Sequence, residues 1–199
     1  SVDGGTIKLD GDYPTGTENV ALGNSALGSV EAGASYNVGI GSESLNQLTT
    51  GDNNTALGFD SARNTTTAAN NTAIGQSALR ANTTGSENTA VGSGALISNT
   101  TAANNTAIGY ASLESITSGG DNTALGYRAG DSLTTGNNNA IVGRSALSSD
   151  TLGDRAVAIG SGALATQNFT SSTDNYNVGV GFNAGAAITT GVQNPIIGV

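Results

Sequence analysis

A glycine recurs through this 199-residue chain at an almost constant spacing. The repeat glycines are Gly23, Gly41, Gly58, Gly75, Gly92, Gly109, Gly126, Gly143, Gly160, Gly181 and Gly198. The interval between them is 17 residues in eight cases, 18 once and 21 once. A period this regular indicates a stack of identical supersecondary units rather than a globular domain.

Two columns of the repeat carry its apolar residues. Leu, Ile or Val stands immediately before every repeat glycine, as at Ile74 and Ile108, and Ala or Gly nearly always stands one place earlier, as at Ala73 and Ala107. Adjacent strand residues point to opposite faces, so we interpret the aliphatic column as the core. The Ala/Gly column then lies on the other face. We expect it to pack along the central axis of an oligomer such as a trimer; the alternative is that it lines a tight interior within one chain.

An asparagine column precedes each repeat glycine by four residues. It comprises Asn19, Asn37, Asn54, Asn71, Asn88, Asn105, Asn122, Asn139, Asn177 and Asn194, and is interrupted only by Ala156. Stacked parallel strands allow such amides to bond from one turn to the next. The column therefore predicts a continuous ladder of side-chain hydrogen bonds.

The length of the repeat selects the architecture. Leucine-rich units need at least about 20 residues and two-helix units more than about 30, so helical repeats fit poorly. At about 3.3 Å per residue a coil has room for two or three strands of roughly four to five residues, and eleven coils rising about 4.8 Å each would extend about 50 Å. We predict an all-β fold, a parallel β-solenoid or β-roll of eleven coils of about 17 residues. Its domain would span residues 17–199, with residues 1–16 as an N-terminal cap or connector and an insert at 166–176.

Composition excludes several function classes. The chain has no His and no Cys, so Ser-His-Asp and Cys-His nucleophilic sites and the usual zinc sets are impossible. A net charge of −9 opposes a phosphate backbone as partner, which argues against nucleic-acid binding. No stretch of 18 apolar residues occurs, so we expect no membrane insertion. We expect neither an enzyme nor a bound cofactor.

Calcium is the one ion for which the sequence offers suitable ligands. Glu18, Asp52, Glu87 and Asp121 precede the asparagine column among oxygen-bearing side chains that suit a hard cation. However, the calcium-roll repeat Gly-Gly-x-Gly-x-Asp is absent, and Gly119-Gly120-Asp121 only partly matches it. We interpret these residues as solvated turn acids and predict no metal site.

The repeat resembles a known family. Asn71-Thr-Ala-Ile-Gly75, Asn105-Thr-Ala-Ile-Gly-Tyr110 and Asn82-Thr-Thr-Gly85 are similar to the head repeats of YadA-type trimeric autotransporter adhesins. The opening Gly5-Thr-Ile-Lys-Leu-Asp-Gly11 is closer to the related repeats of bacteriophage tail fibres. The resemblance implies a homotrimer of left-handed β-rolls in an extracellular, cell-surface or virion fibre that mediates or supports host attachment. The period of 17 differs from the somewhat shorter coils usual in YadA heads.

Ice binding is the alternative function. A threonine column lies nine residues before the repeat glycine, as at Thr49, Thr66 and Thr83, and a second follows one place later, as at Thr50 and Thr67. Regular hydroxyl and methyl ladders suit an ice-binding face. Adjacent positions point to opposite sides, however, and corner hydroxyls commonly bond to backbone.

Five residues are candidates for ligand binding. Tyr110 and Tyr127 follow the repeat glycine in successive coils, close enough to stack on the outside. Phe169, Asp174 and Tyr176 lie in the insert, and a loop held by a stiff scaffold is a usual place for recognition. The expected partner is a host-surface glycan or a protein receptor.

Overall fold

The computed structural model describes residues 18–198, which form an all-β structure without a helix. One strand from each repeat joins a single parallel sheet of eleven strands, and two further strands form a small parallel sheet. This confirms the predicted parallel β-solenoid. The large sheet contains β1 (Val20–Leu22), β2 (Val38–Ile40), β3 (Thr55–Leu57), β4 (Thr72–Ile74), β5 (Thr89–Val91), β6 (Thr106–Ile108), β7 (Thr123–Leu125), β8 (Ala140–Val142), β10 (Val157–Ile159), β12 (Val178–Val180) and β13 (Pro195–Ile197), in that order. The small sheet pairs β9 (Gly153–Asp154) with β11 (Thr173–Asp174).

Register in the large sheet follows the sequence period. Thr72 of β4 pairs with Thr89 of β5, and Ala73 pairs with Ala90 in the same ladder. Like residues therefore stack on like residues along the sheet, and each column of the repeat becomes a row on one face.

The strands are shorter than predicted, with three residues each in the large sheet. The cause lies in left-handed backbone conformations at three non-glycine positions of a typical coil. Ser77, Leu79 and Glu87 have φ angles of 56°, 55° and 61°. Such residues cannot continue an extended strand. The other sides of the coil are turns, still joined from coil to coil by bonds such as Thr83 N to Thr100 O at 2.9 Å.

The core lies on the opposite face of the strand from the one predicted. Ala73 and Ala107 are fully buried, whereas Ile74 and Ile108 are 36% and 39% exposed. The interior is filled by leucines four residues after the repeat glycine, such as Leu79. The interpretation of the aliphatic column as core was therefore wrong, and the Ala/Gly column lines the interior of the single chain.

The narrow interior explains this choice of face. A Cβ added to Gly39 would lie 3.2 Å from Leu27 Cγ, and one added to Gly179 would lie 2.9 Å from Leu164 Cγ. The small column thus packs directly against the leucine column of the preceding coil. A Leu or Ile at most of these positions would overfill the space.

The asparagine ladder is confirmed. Asn105 Nδ2 donates to Asn88 Oδ1 at 3.4 Å, and Asn122 Nδ2 donates to Asn105 Oδ1 at 3.1 Å. Each Oδ1 also accepts the backbone N–H of the next asparagine, as Asn105 Oδ1 does from Asn122 at 3.0 Å. At the interruption the N–H of Ala156 still donates to Asn139 Oδ1 at 2.8 Å. Buried amides therefore bond successive coils through the core.

Two sequence predictions concern the limits of the domain. The proposed cap or connector at residues 1–16 lies outside the described residues. The insert begins after the coil of β10, and its strand β11 pairs with β9 of an earlier coil. Within residues 18–198 no helix has the length and hydropathy required to cross a membrane.

Candidate functional site

Tyr110 and Tyr127 form a stacked pair on the surface. Each follows a repeat glycine directly after a strand, so the parallel register of β6 and β7 places the two rings in adjacent coils. Their ring centroids are 5.3 Å apart and their planes differ by 15°. About half of each side chain is exposed. The structure therefore brings together these two predicted site residues as an aromatic surface.

A groove of about 190 Å³ lies beside Tyr110. We call it the Tyr110 groove. Its lining includes Gln76, Ser93, Gly94, Ile97, Tyr110 and Glu114. They come from three successive coils. Gly94 has a φ of 70°, and a Cβ added there would meet no atom within 4 Å. The missing side chain at Gly94 thus leaves the groove open.

The polar groups of the Tyr110 groove are unpaired. Within residues 18–198 the side chains of Gln76, Ser93, Tyr110 and Glu114 make no hydrogen bond and no ion pair. Together they offer an amide, two hydroxyls and a carboxylate. Hydrogen-bonding capacity therefore converges on a surface concavity without being used by the fold.

The insert does not present its three candidate residues together. Phe169 is only 5% exposed, and its backbone N–H donates to Asp150 Oδ1 at 3.2 Å. Tyr176 is exposed, and the Arg155 guanidinium carbon lies 5.7 Å from its ring centroid. Arg155 Nε is also 2.8 Å from Asp174 Oδ1. Asp174 and Tyr176 thus reach the surface as part of a cluster with Arg155, whereas Phe169 packs inward.

Buried polar contacts hold the base of the insert. Asp150 is fully buried and accepts hydrogen bonds from Gln167 Nε2 at 2.6 Å and from the N–H of Gly153 at 3.1 Å. Asn177 Nδ2 donates to Gln167 Oε1 at 2.7 Å. The bond from Asn177 to Gln167 replaces the rung that Asn177 lacks because Ala156 interrupts the asparagine ladder. The same contacts tie the insert to the solenoid.

The outward face of the large sheet is a second candidate surface. Two rows of side chains stand on it, one from the Thr/Val position at the start of each strand and one from the aliphatic position at its end. The exposed members include Val20, Leu22, Leu57, Ile74, Ile108, Val142 and Ile159. We call this surface the aliphatic face. It runs along the whole large sheet.

The corner threonines have a structural use for their hydroxyls. Thr49 Oγ1 donates to Thr66 O at 3.1 Å and Thr83 Oγ1 to Thr100 O at 2.9 Å, and the pattern continues along the column. The neighbouring column, which includes Thr67 and Thr101, is exposed. Within residues 18–198 the hydroxyls of Thr67 and Thr101 make no hydrogen bond, unlike those of Thr49 and Thr83.

The turn acids are dispersed. Asp52 Oδ1 accepts the N–H of Ser35 at 2.7 Å, while Glu18, Glu87 and Asp121 occupy left-handed turn positions. Among residues 18–198 no group of three or more His, Cys, Asp or Glu side chains is arranged to hold a metal ion.

Sequence reasoning found the two tyrosines but missed Gln76, Gly94 and Glu114. These residues occupy different columns of the repeat, so no single column reveals them. The available signal was Gly94, which takes a position held by a larger residue in most other coils. No family model, curated protein or solved structure matches this chain.

Proposed function

We propose that this chain is a rod segment of an extracellular, cell-surface or virion fibre, that it associates as a homotrimer, and that it mediates or supports attachment to a host surface. The aliphatic face carries this proposal. A single chain leaves Ile74, Ile108 and their counterparts partly exposed along the sheet, although burying their remaining apolar surface would contribute roughly 25 cal/mol per Å².

A second copy of the same chain fits the aliphatic face better than an unrelated partner. The face repeats every coil, with like residues in register from β1 to β13. A surface with this periodicity is matched by another surface with the same rise. Closed rotational symmetry then buries the face in every copy, which is the usual outcome for homo-oligomers. The number of subunits, three, is inferred from the resemblance to YadA-type heads.

The interior of the coil supports a mechanical role. Buried asparagines bond each coil to the next, and fully buried leucines such as Leu96 and Leu113 stack along the axis. Each coil contacts mainly its neighbours, as in other solenoids. A stack of this kind holds surface groups at fixed spacing, which suits a fibre. With no His and no Cys in the sequence, we favour this role over catalysis.

Ice binding receives less support. The hydroxyls of the column containing Thr49 and Thr83 are donated to the adjacent coil, and the column containing Thr67 offers one exposed row. Two flat ranks on one face are not formed by these threonines.

Solution mass tests the proposal. Light scattering of the purified chain should give three chain masses, whereas a single chain mass at micromolar concentration would contradict it. The double variant Ile74→Lys with Ile108→Lys should dissociate the trimer, because it places charges in the buried contact.

The matched control is Thr67→Lys with Thr101→Lys, which adds the same charges two coils apart on an exposed corner. The control should keep the trimer mass. Equal dissociation of both variants would indicate a general charge effect rather than an aliphatic interface.

A further inference from the structure

We propose that the Tyr110 groove binds a neutral saccharide, with a sugar ring against the Tyr110 ring and sugar hydroxyls bonded to Gln76, Ser93 and Glu114. This inference rests on the proposed attachment function and assigns its contact to a site on the rod rather than to the insert. Four observations lead to it.

The aromatic surface is ordered before any ligand arrives. Tyr110 stacks on Tyr127 with ring centroids 5.3 Å apart, and both lie in the turns that follow adjacent strands of one sheet. The apolar C–H face of a sugar packs well on an aromatic ring, and a ring already held in place loses little side-chain entropy on binding. Tyrosine also presents a large contact area with few rotatable bonds.

The polar surface matches the chemistry of sugar hydroxyls. A sugar hydroxyl both donates and accepts hydrogen bonds. The Gln76 amide and Ser93 hydroxyl can do both, while the Glu114 carboxylate accepts. These side chains make no hydrogen bond or ion pair within the described part of the chain. A ligand would therefore gain their bonds without breaking bonds of the fold.

The shape favours a ring-sized ligand. The groove measures about 190 Å³, and a Cβ added to Gly94, one of its lining residues, would enter open space. Ile97 supplies an apolar patch among the polar lining groups. Mixed apolar and polar lining of a concave site is typical of small-molecule recognition.

Charge selects a neutral sugar over an acidic one. None of the eight residues that line the groove is basic, and Glu114 is among them. The whole chain carries a net charge of −9. Sialylated, sulfated or uronic-acid saccharides would be repelled by both.

Ligand-observed NMR on the full chain tests the inference. The probes are linear tetrasaccharides of glucose, galactose, mannose and N-acetylglucosamine, with sialyllactose as the acidic comparison. We expect saturation transfer to at least one neutral tetrasaccharide at millimolar concentration and weaker transfer to sialyllactose. Tyr110→Ala should weaken the neutral contact about tenfold or more, a loss of at least about 1.4 kcal/mol.

A groove-filling variant provides a second test that does not remove a tyrosine. Gly94→Arg should abolish binding while keeping the fold, because Arg128 occupies the equivalent position with a φ of 53°. Its control is Ser145→Arg, at the equivalent position of a coil outside the groove. Tyr176→Ala is the control for Tyr110→Ala, since Tyr176 is a similarly exposed tyrosine in the insert. Both controls should bind normally.

Three results would overturn the saccharide inference. No transfer to any neutral tetrasaccharide, or binding lost in Tyr176→Ala but kept in Tyr110→Ala and Gly94→Arg, would overturn the inference. A stronger signal from sialyllactose would also overturn it. Solution mass is independent of these results, so a trimer without saccharide binding leaves the fibre standing and removes only the groove.

Discussion

Ile141 fills the space that Gly130 leaves empty. Ile141 is fully buried at a position where most coils have Ala, and Gly130 stands where most coils have Leu. A Cβ added to Gly130 would lie 2.7 Å from Ile141 Cδ1. Ile196 and Gly185 repeat the exchange, with a corresponding distance of 3.3 Å. The two inner columns therefore share one volume, and a large residue in either column is matched by a small residue in the other.

This relationship predicts a compensating pair of substitutions. Gly130→Leu alone should destabilise the chain by about 1–3 kcal/mol or more through overpacking, and Ile141→Ala alone by about 2–5 kcal/mol through a cavity. The double variant recreates the usual Leu and Ala pair, and leucine is tolerated there because Leu113 adopts a similar left-handed conformation at φ 49°. It should recover most of the lost stability.

Urea denaturation of the four chains checks this prediction through a double-mutant cycle. Strictly additive effects of the two substitutions would mean that the side chains do not share a space. An interaction free energy comparable to either single loss is the expected result.

The pairing of Ile141 with Gly130 shows which features of the fold the sequence predicts and which it does not. The period gave the solenoid, and the asparagine column gave the ladder, because both follow from in-register stacking alone. Alternation along a strand puts Ala107 and Ile108 on opposite faces but does not say which face is inside. The pairing of Ile141 with Gly130 carried that information, since a column that compensates the leucines must lie opposite them in the interior.

Strand length was harder to predict, because the residues that end the strands are ordinary ones. Leucine and serine adopt left-handed conformations here at positions such as Leu79 and Ser77, where glycine or asparagine would have been a clearer signal. The candidate site was likewise only partly predictable from the sequence. Stacking of Tyr110 on Tyr127 follows from the repeat, whereas the Tyr110 groove depends on three coils that each depart from it.

The repeat glycine is required for a specific reason at Gly109. Its φ is 134°, and a Cβ there would lie 2.4 Å from the carbonyl oxygen of Gly126 in the next coil. Gly109→Ala should therefore push two coils apart and lower the free energy of unfolding by about 3 kcal/mol or more. Gly94→Ala is the control, because Gly94 also has a positive φ, at 70°, but its added Cβ meets no atom within 4 Å.

Thermal denaturation followed by circular dichroism separates the two glycine variants. Gly94→Ala should lose only the roughly 1–2 kcal/mol that a side chain in the left-handed conformation costs. If both substitutions lowered the midpoint equally, loss of glycine flexibility rather than coil spacing would be the cause.

Burial makes the stability contribution of Asp131 depend on pH. Desolvation raises the pKa of this carboxyl above its ordinary value, despite the opposing influence of Arg128 at 3.6 Å. A folded-state pKa above the unfolded value means that the protonated form favours folding. That stabilisation is complete below the unfolded pKa and is lost as pH rises through the folded pKa. Asp131→Asn should therefore stabilise the chain at pH 7, and the gain should shrink in acid.

Melting temperatures from pH 7 down to pH 3 check the sign for Asp131. Glu31→Gln serves as the control, because it removes the same charge from an exposed position. A destabilising effect of Asp131→Asn at neutral pH would show that the contact with Arg128 outweighs the cost of burial.

The asparagine ladder should be the most sensitive polar feature of the core. Asn105 Oδ1 accepts the backbone N–H of Asn122 at 3.0 Å and its Nδ2 group at 3.1 Å, while Asn105 Nδ2 donates to Gly119 O at 3.0 Å. Asn105→Ala leaves these buried groups without their partner, at roughly 1–3 kcal/mol for each group left unsatisfied. The column tolerates alanine at position 156 because the backbone N–H of the next asparagine, Asn177, donates to Asn175 Oδ1 at 2.8 Å instead. The equivalent position before Asn122 is Gly120, which has no side chain to act as a substitute.

Asn64→Ala is the matched control for the ladder variant, since the Asn64 side chain makes no hydrogen bond within residues 18–198. The two variants have the same composition and differ only in the position of the Asn→Ala substitution. Equilibrium denaturation should therefore show the effect of position alone. We expect Asn105→Ala to lose several kcal/mol and Asn64→Ala to stay within about 0.5 kcal/mol of the unsubstituted chain. Amide hydrogen exchange should also quicken at Asn122, whose N–H loses its acceptor. Equal losses in the two variants, with protection at Asn122 unchanged, would mean that stacked leucines rather than amides hold the coils together.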